Sequence, residues 1–119
     1  MITGVHILIY SKDPVADRAF FRDVLKYPYV EHPESGDSWL IFKLPPAEIG
    51  VHPVMTTEQH RMHFMCDDIN ANVAELQQQG VEITSPIEDA GYGLVTAIRL
   101  PGGGEIGLYE PKHPVAKDV

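Results

Sequence analysis

One cysteine stands among 119 residues. An intrachain disulfide is excluded, and the composition suits a reducing compartment such as the cytoplasm. Positive charge is also scarce. Nine Lys and Arg face seventeen Asp and Glu, for a formal net charge of −8. A chain of that sign is not attracted to a nucleic-acid backbone or an anionic membrane, so neither is expected as a partner. No stretch approaches the ~18 apolar residues of a membrane-spanning helix. The start, Met1-Ile2-Thr3-Gly4-Val5-His6, lacks the basic region and cleavage site of a secretory signal. Several motifs are missing: Gly-x-Ser-x-Gly, a phosphate-cradling Gly-Lys-Ser/Thr loop, and Cys-x-x-Cys. Gly102-Gly103-Gly104 joins two strand patterns and opens no helix. It reads as a hairpin turn, not a dinucleotide site.

What is abundant is punctuation. Ten Gly and ten Pro imply many turns and short elements. With 44% apolar and 22% charged residues, the composition is that of a globular domain, and the length is that of one. Val5 to Tyr10 alternates like a strand, with Val5, Ile7 and Ile9 on one face and His6, Leu8 and Tyr10 on the other. Asp13-Pro14 starts a helix whose apolar face is Ala16, Phe20 and Val24, and Pro28 stops it. Strand patterns follow at Trp39–Phe42 and Glu48–His52. A polar stretch from Pro53 to His60 intervenes. Met62–Cys66 is a strand with Met62, Phe64 and Cys66 facing one way and His63 and Met65 the other. Asp67-Asp68 caps a second helix bearing Ile69, Val73 and Leu76, which Gly80 ends. Val81–Ile83 is a short strand, and Ser85 to Gly93 reads as a mobile loop. Strands at Leu94–Leu100 and Glu105–Tyr109 complete the pattern.

The halves repeat. His6 and His63 are 57 residues apart, each in a strand leading to a capped helix. Glu48-Ile49-Gly50-Val51-His52 and Glu105-Ile106-Gly107-Leu108-Tyr109 show the same offset. Each follows a basic-Leu-Pro turn, Lys43-Leu44-Pro45 and Arg99-Leu100-Pro101. The expected organisation is one domain over 1–119, built from two βαβββ modules at about 1–53 and 61–111. A linker at 54–60 and a polar tail at 112–119 complete it.

This arrangement resembles the vicinal oxygen chelate superfamily, which includes glyoxalase I, bleomycin resistance proteins and extradiol dioxygenases. The matching stretches are His6-Ile7-Leu8-Ile9 with Phe20–Leu25, His63–Ile69 with Gln79-Gly80-Val81, and the closing run Leu100–Tyr109. The resemblance implies an α+β fold in which two βαβββ modules form a curved, half-open mixed sheet with helices outside. It implies a small oxygenated molecule as ligand or substrate, bound in the sheet's hollow. A homodimer is the usual assembly it suggests. It also implies a divalent metal (Fe, Mn, Ni or Zn) that supports lyase, isomerase or dioxygenase chemistry. His6 and His63 fall at the superfamily's histidine positions.

The carboxylate ligands do not carry over, because their positions fall on Gly50 and Gly107. Glu105 lies two residues away on the same strand face, about 6–7 Å along it, and is a candidate replacement. His52 is a candidate third imidazole or ligand contact. Tyr109 and Glu105 are candidates for acid–base work. Glu48, Trp39 and Tyr92 are candidate ligand contacts, with Tyr92 on a lid formed by Ser85 to Gly93. The glycines have a second reading: they widen the hollow and leave a metal-free, drug-sequestering protein. Cys66 shares the core-facing row and is expected to be buried and inert.

Overall fold

A computed structural model of the chain describes residues 6–32, 36–50 and 60–118, with backbone alone at 32 and 36–39. Helix α1, Pro14–Ala19, begins as its sequence dictates. The Asp13 carboxylate accepts from the Ala16 N–H at 3.1 Å, and Pro14 sits where no helical donor is needed. The helix then widens into a π turn, Phe20–Val24, which buries both Phe20 and Phe21. Lys26, at φ 57°, turns the chain out of it before Pro28.

Strands β1, Tyr29–His32, and β2, Gly36–Phe42, form an antiparallel pair. The sequence pattern had shown only the second of them. Strand β3, His63–Met65, leads into helix α2, Ile69–Gln78, capped by Asp68 and ended at Gly80, φ 82°. Strands β4, Glu82–Ile83, β5, Glu88–Asp89, β6, Gly93–Arg99, and β7, Glu105–Pro111, follow. The second sheet runs β3-β7-β6-β4, with β5 pairing β6 at one end. β3 lies parallel to β7; the other pairs are antiparallel. The protein is thus a small α+β fold with two helices and mixed sheets. Among the described residues, no helix is long and apolar enough to cross a membrane.

Three expectations need revision. Residues 6–10 form no strand, although they alternate as one. Residues 43–50 form none either; Val51 and His52 lie outside the described residues. An alternating pattern sets which side chains share a face, but a ladder requires a partner backbone. The segment from Ser85 to Gly93 is not an irregular loop. Ala90 N–H donates to the Gly93 carbonyl at 2.9 Å, and β5 pairs with Leu94 and Val95, so it is a hairpin. The tail from Lys112 also has structure, ending in a 3-10 turn at Ala116–Asp118.

The core lies on the helix side of the second sheet. Ile98, Leu100, Ile106 and Leu108 from the strands meet Ile69, Leu76 and Val81. Phe20 and Phe21 from the first half join the same cluster, and the Phe21 ring stands edge-on to Phe64 at 6.4 Å. Met62, Phe64 and Cys66 pack against this core, as their shared parity predicts.

Asp17 ties the first helix to the far turn. It is 6% exposed, and its Oδ1 accepts from the Gly102 N–H at 2.7 Å. A Cβ on Gly102 would fall 2.7 Å from Asp17 Oδ2 and closer still to the Ser11 hydroxyl. Only glycine lets the turn approach the carboxylate so closely. Gly102→Ala and Asp17→Ala should therefore each destabilise the fold. A buried hydrogen bond to a charged group contributes about 1.5–3 kcal/mol. Thermal melts should show a loss on the order of 10 °C; an unchanged Tm would mean the contact is dispensable.

Candidate functional site

Strand alternation gives β7 two faces. Ile106 and Leu108 enter the core, while Glu105, Gly107 and Tyr109 share the opposite, open face. The parallel ladder puts His63 opposite Gly107 and Met65 opposite Tyr109, so His63 lies on the open face too. Its ring stands edge-on to Tyr109, centroids 5.6 Å apart at 85°. The imidazole also covers Gly107. A Cβ there would fall 2.6 Å from His63 Cε1, 2.9 Å from Cγ and nearer still to Nδ1. Real Cβ atoms essentially never approach below 3.0 Å. Gly107 therefore does not widen a hollow; it makes room for His63.

Tyr109 is the hub of this face. The Tyr92 ring, 47% exposed, meets it edge-on at 6.2 Å, and the His113 ring lies beside it at 6.1 Å and 32°. The Tyr109 hydroxyl donates to Glu48 Oε1 at 3.3 Å and lies 3.5 Å from His113 Nε2. Burial, then the Glu48 carboxylate, raises the Tyr109 pKa above its ordinary value. At neutral pH the phenol is protonated and acts as a hydrogen-bond donor, not as a base.

The other candidates fall into place around this hub, or away from it. Glu105 shares the face, but the Thr84 hydroxyl donates to its carboxylate. Thr84 follows β4, beyond β6, whereas His63 lies on the opposite side of β7. The Glu105 carboxylate is thus engaged away from His63. His6 is exposed in the unpaired segment 6–10. His52 lies outside the described residues. Trp39 lies on β2, where only its backbone is described. Glu48 does reach the site, from the irregular segment 43–50 and not from a strand. His113 was not among the sequence candidates, since a histidine in a polar tail carries no periodic signal. Its only cue is that it follows Tyr109 by four residues.

The donor set was tested against a divalent metal. Among the described residues, no group of three or more His, Cys, Asp and Glu side chains could hold one. The position opposite His63 is a glycine under the imidazole, and Glu105 is tied elsewhere. The described residues do not fit a metal centre. Cys66 adds no reactive group. Burial, and then the carboxylates of Glu110, Asp67 and Asp68, push its thiol up to about 11. It is protonated at neutral pH, as its place on the core-facing row suggests.

The comparisons with known proteins bear on this arrangement. A family model of the glyoxalase/bleomycin resistance protein/dioxygenase superfamily matches residues 4–112. The chain belongs to this superfamily. Solved structures share its fold. The antibiotic-binding protein TnmS3 from Streptomyces sp. CB03234 is 23% identical with a TM-score of 0.66, covering 93% of this chain and 98% of that one. Lactoylglutathione lyase from Agrobacterium tumefaciens is 16% identical with a TM-score of 0.62, covering 91% and 92%. A superfamily member from Sphaerobacter thermophilus is 20% identical with a TM-score of 0.55, covering 92% and 98%. At these identities the likeness concerns the fold alone. The search of curated proteins found no match. These neighbours include both an antibiotic-binding protein and a lyase.

Replacing Gly107 with alanine should expel the imidazole from its place. NMR of the His63 ring should show a changed environment, with a lower Tm. An unaltered His63 signal in Gly107→Ala would show that the ring does not rest on residue 107.

Proposed function

We propose that this superfamily member binds a small oxygenated molecule on the open face around His63 and Tyr109, without a metal. One observation carries the reading: the position of the superfamily's carboxylate ligand is Gly107, and His63 lies over it. A metal bound by His63 would need the ring to leave that position and a carboxylate to arrive from elsewhere. The face instead offers rings and polar groups. Tyr92 and Tyr109 supply aromatic surface. The Tyr109 hydroxyl, whose proton Glu48 holds, and the His63 imidazole beside it add polar groups to that surface. Fixed polar groups beside aromatic walls bind and orient a polar aromatic or oxygenated guest.

The metal-dependent reading rests on His63 lying on the open face together with Glu105. It requires further ligands from His6 or His52. The two readings part on chelation. Thermal melts of the protein with a panel of small oxygenated molecules, with and without EDTA, should show stabilisation that EDTA leaves intact. Saturation at a hundredfold excess over Kd corresponds to about 2.7 kcal/mol. Stabilisation abolished by EDTA, together with one Fe, Mn, Ni or Zn per chain by elemental analysis, would overturn the metal-free reading.

We also propose that the chain works as a homodimer with the two-module organisation of its repeat, in the cytoplasm. Leu8 is 65% and Tyr10 90% exposed in a segment patterned as a strand but lacking a ladder. Val30 on β1 is exposed as well. Such apolar surface is expected to be covered in the working protein. Sedimentation should report a dimer, and Leu8→Glu should shift it toward monomer. A wild-type protein that stays monomeric at high concentration would count against the assembly.

A further inference from the structure

The sequence reads the chain after Pro111 as a polar tail, and several of its polar groups are engaged by the rest of the fold. The Lys112 N–H donates to the Tyr92 carbonyl at 2.8 Å, and Lys112 Nζ reaches Asp89 Oδ2 at 2.6 Å. His113 lies against Tyr109. The Ala116 N–H donates to Glu48 Oε2 at 2.7 Å, and the Lys117 N–H to the same oxygen at 3.3 Å. Glu48 thereby divides its carboxylate: Oε1 accepts from Tyr109, on the site, and Oε2 accepts from the tail. One side chain from the first half links the binding face to the last residues of the chain.

We propose that residues 112–118 form a strap across the aromatic end of the His63–Tyr109 face, latched by Glu48, whose release opens that end to the ligand. The contacts are of the kind that open easily. No residue from 112 to 118 is buried, and among the described residues the strap is held to the fold by hydrogen bonds, the His113–Tyr109 ring contact and the exposed Lys112–Asp89 ion pair. Segments with few buried apolar contacts open at low free-energy cost while the core stays closed. The latch residue lies in an irregular segment beside Ile49, which is 90% exposed, so it too can move without disturbing a ladder. Closed, the strap sets His113 against Tyr109 and holds the Tyr92 hairpin through Lys112. Open, it uncovers Tyr109 and the ring edge shared with His63. The inference rests on the reading that this face receives the ligand.

The test uses the full chain, Glu48→Ala and Ala116→Pro. The first removes the acceptor. The second removes the 2.7 Å donor and leaves the sheet untouched. Hydrogen exchange should show the Ala116 and Lys117 amides protected in the wild type, and the Lys117 amide exchanging about tenfold faster in both variants, the loss of one hydrogen bond to a charged group. Ile98 and Leu108 amides should exchange as in the wild type, which shows that the core is intact. Diethyl pyrocarbonate should modify His63 faster in both variants, measured by mass spectrometry against the exposed His60. Unprotected tail amides in the wild type would overturn the latch. A released tail with an unchanged His63 rate would overturn the gating. Neither readout involves a ligand, so failure to find one would count against the binding reading and leave the strap standing.

Discussion

Strand β7 has to serve two surfaces at once, and the rest of the molecule is arranged around that demand. Ile106 and Leu108 are nearly inaccessible and hold the core against α2 and Phe20. Gly107 and Tyr109, between and after them, face the open side. The parallel ladder with β3 then delivers His63 over Gly107 and against Tyr109. Register is the governing constraint. A slip by one residue between β3 and β7 would turn one strand over against the other, burying His63 and exposing Phe64, or burying Tyr109 and exposing Leu108. The apolar core and the polar face therefore enforce the same pairing.

The glycine at 107 shows how one substitution changes what a scaffold can do. A carboxylate at that position could face a ligand or a metal. A glycine lets the neighbouring imidazole occupy the space where a Cβ would stand. The site gains an aromatic surface and loses an anion. Glu105 does not restore it, because the Thr84 hydroxyl engages that carboxylate toward the β4 edge of the sheet, away from His63. Glu48 brings a negative charge back from a different direction, but spends it on the Tyr109 hydroxyl and two backbone amides. Burial, and then that charge, raise the Tyr109 pKa, and the carboxylate organises the end of the chain.

Much of this was legible in the residues. Asp13, Asp68 and Gly80 marked helix ends that the structure confirms, since capping and left-handed backbone are local chemistry. The Met62, Phe64 and Cys66 row packs against the core, and His63 faces away from it, because side-chain alternation is a property of the strand itself. The glycine at 107, where the resemblance expects a carboxylate, was also legible. The strand at 29–32, the hairpin at 88–95 and the folded tail were not. The first two are short segments that become strands only by pairing with β2 and β6, and the tail is held by Glu48, distant in the chain.

The division has a simple physical basis. Sequence alone determined the α+β class, the positions of the two capped helices, the second-half strand faces, the lack of a cysteine pair for an intrachain disulfide and the negative net charge. Those follow from dihedral preferences, alternation and net charge, which need no neighbour. Only the tertiary structure decided that His63 covers Gly107, that Glu105 is turned toward Thr84, and that Glu48 joins Tyr109 to the last turn. It also decided that the segment from His6 to Tyr10, strand-like in pattern, forms no ladder here. Each depends on which backbone lies alongside, and a strand's partner is chosen by packing across the whole chain.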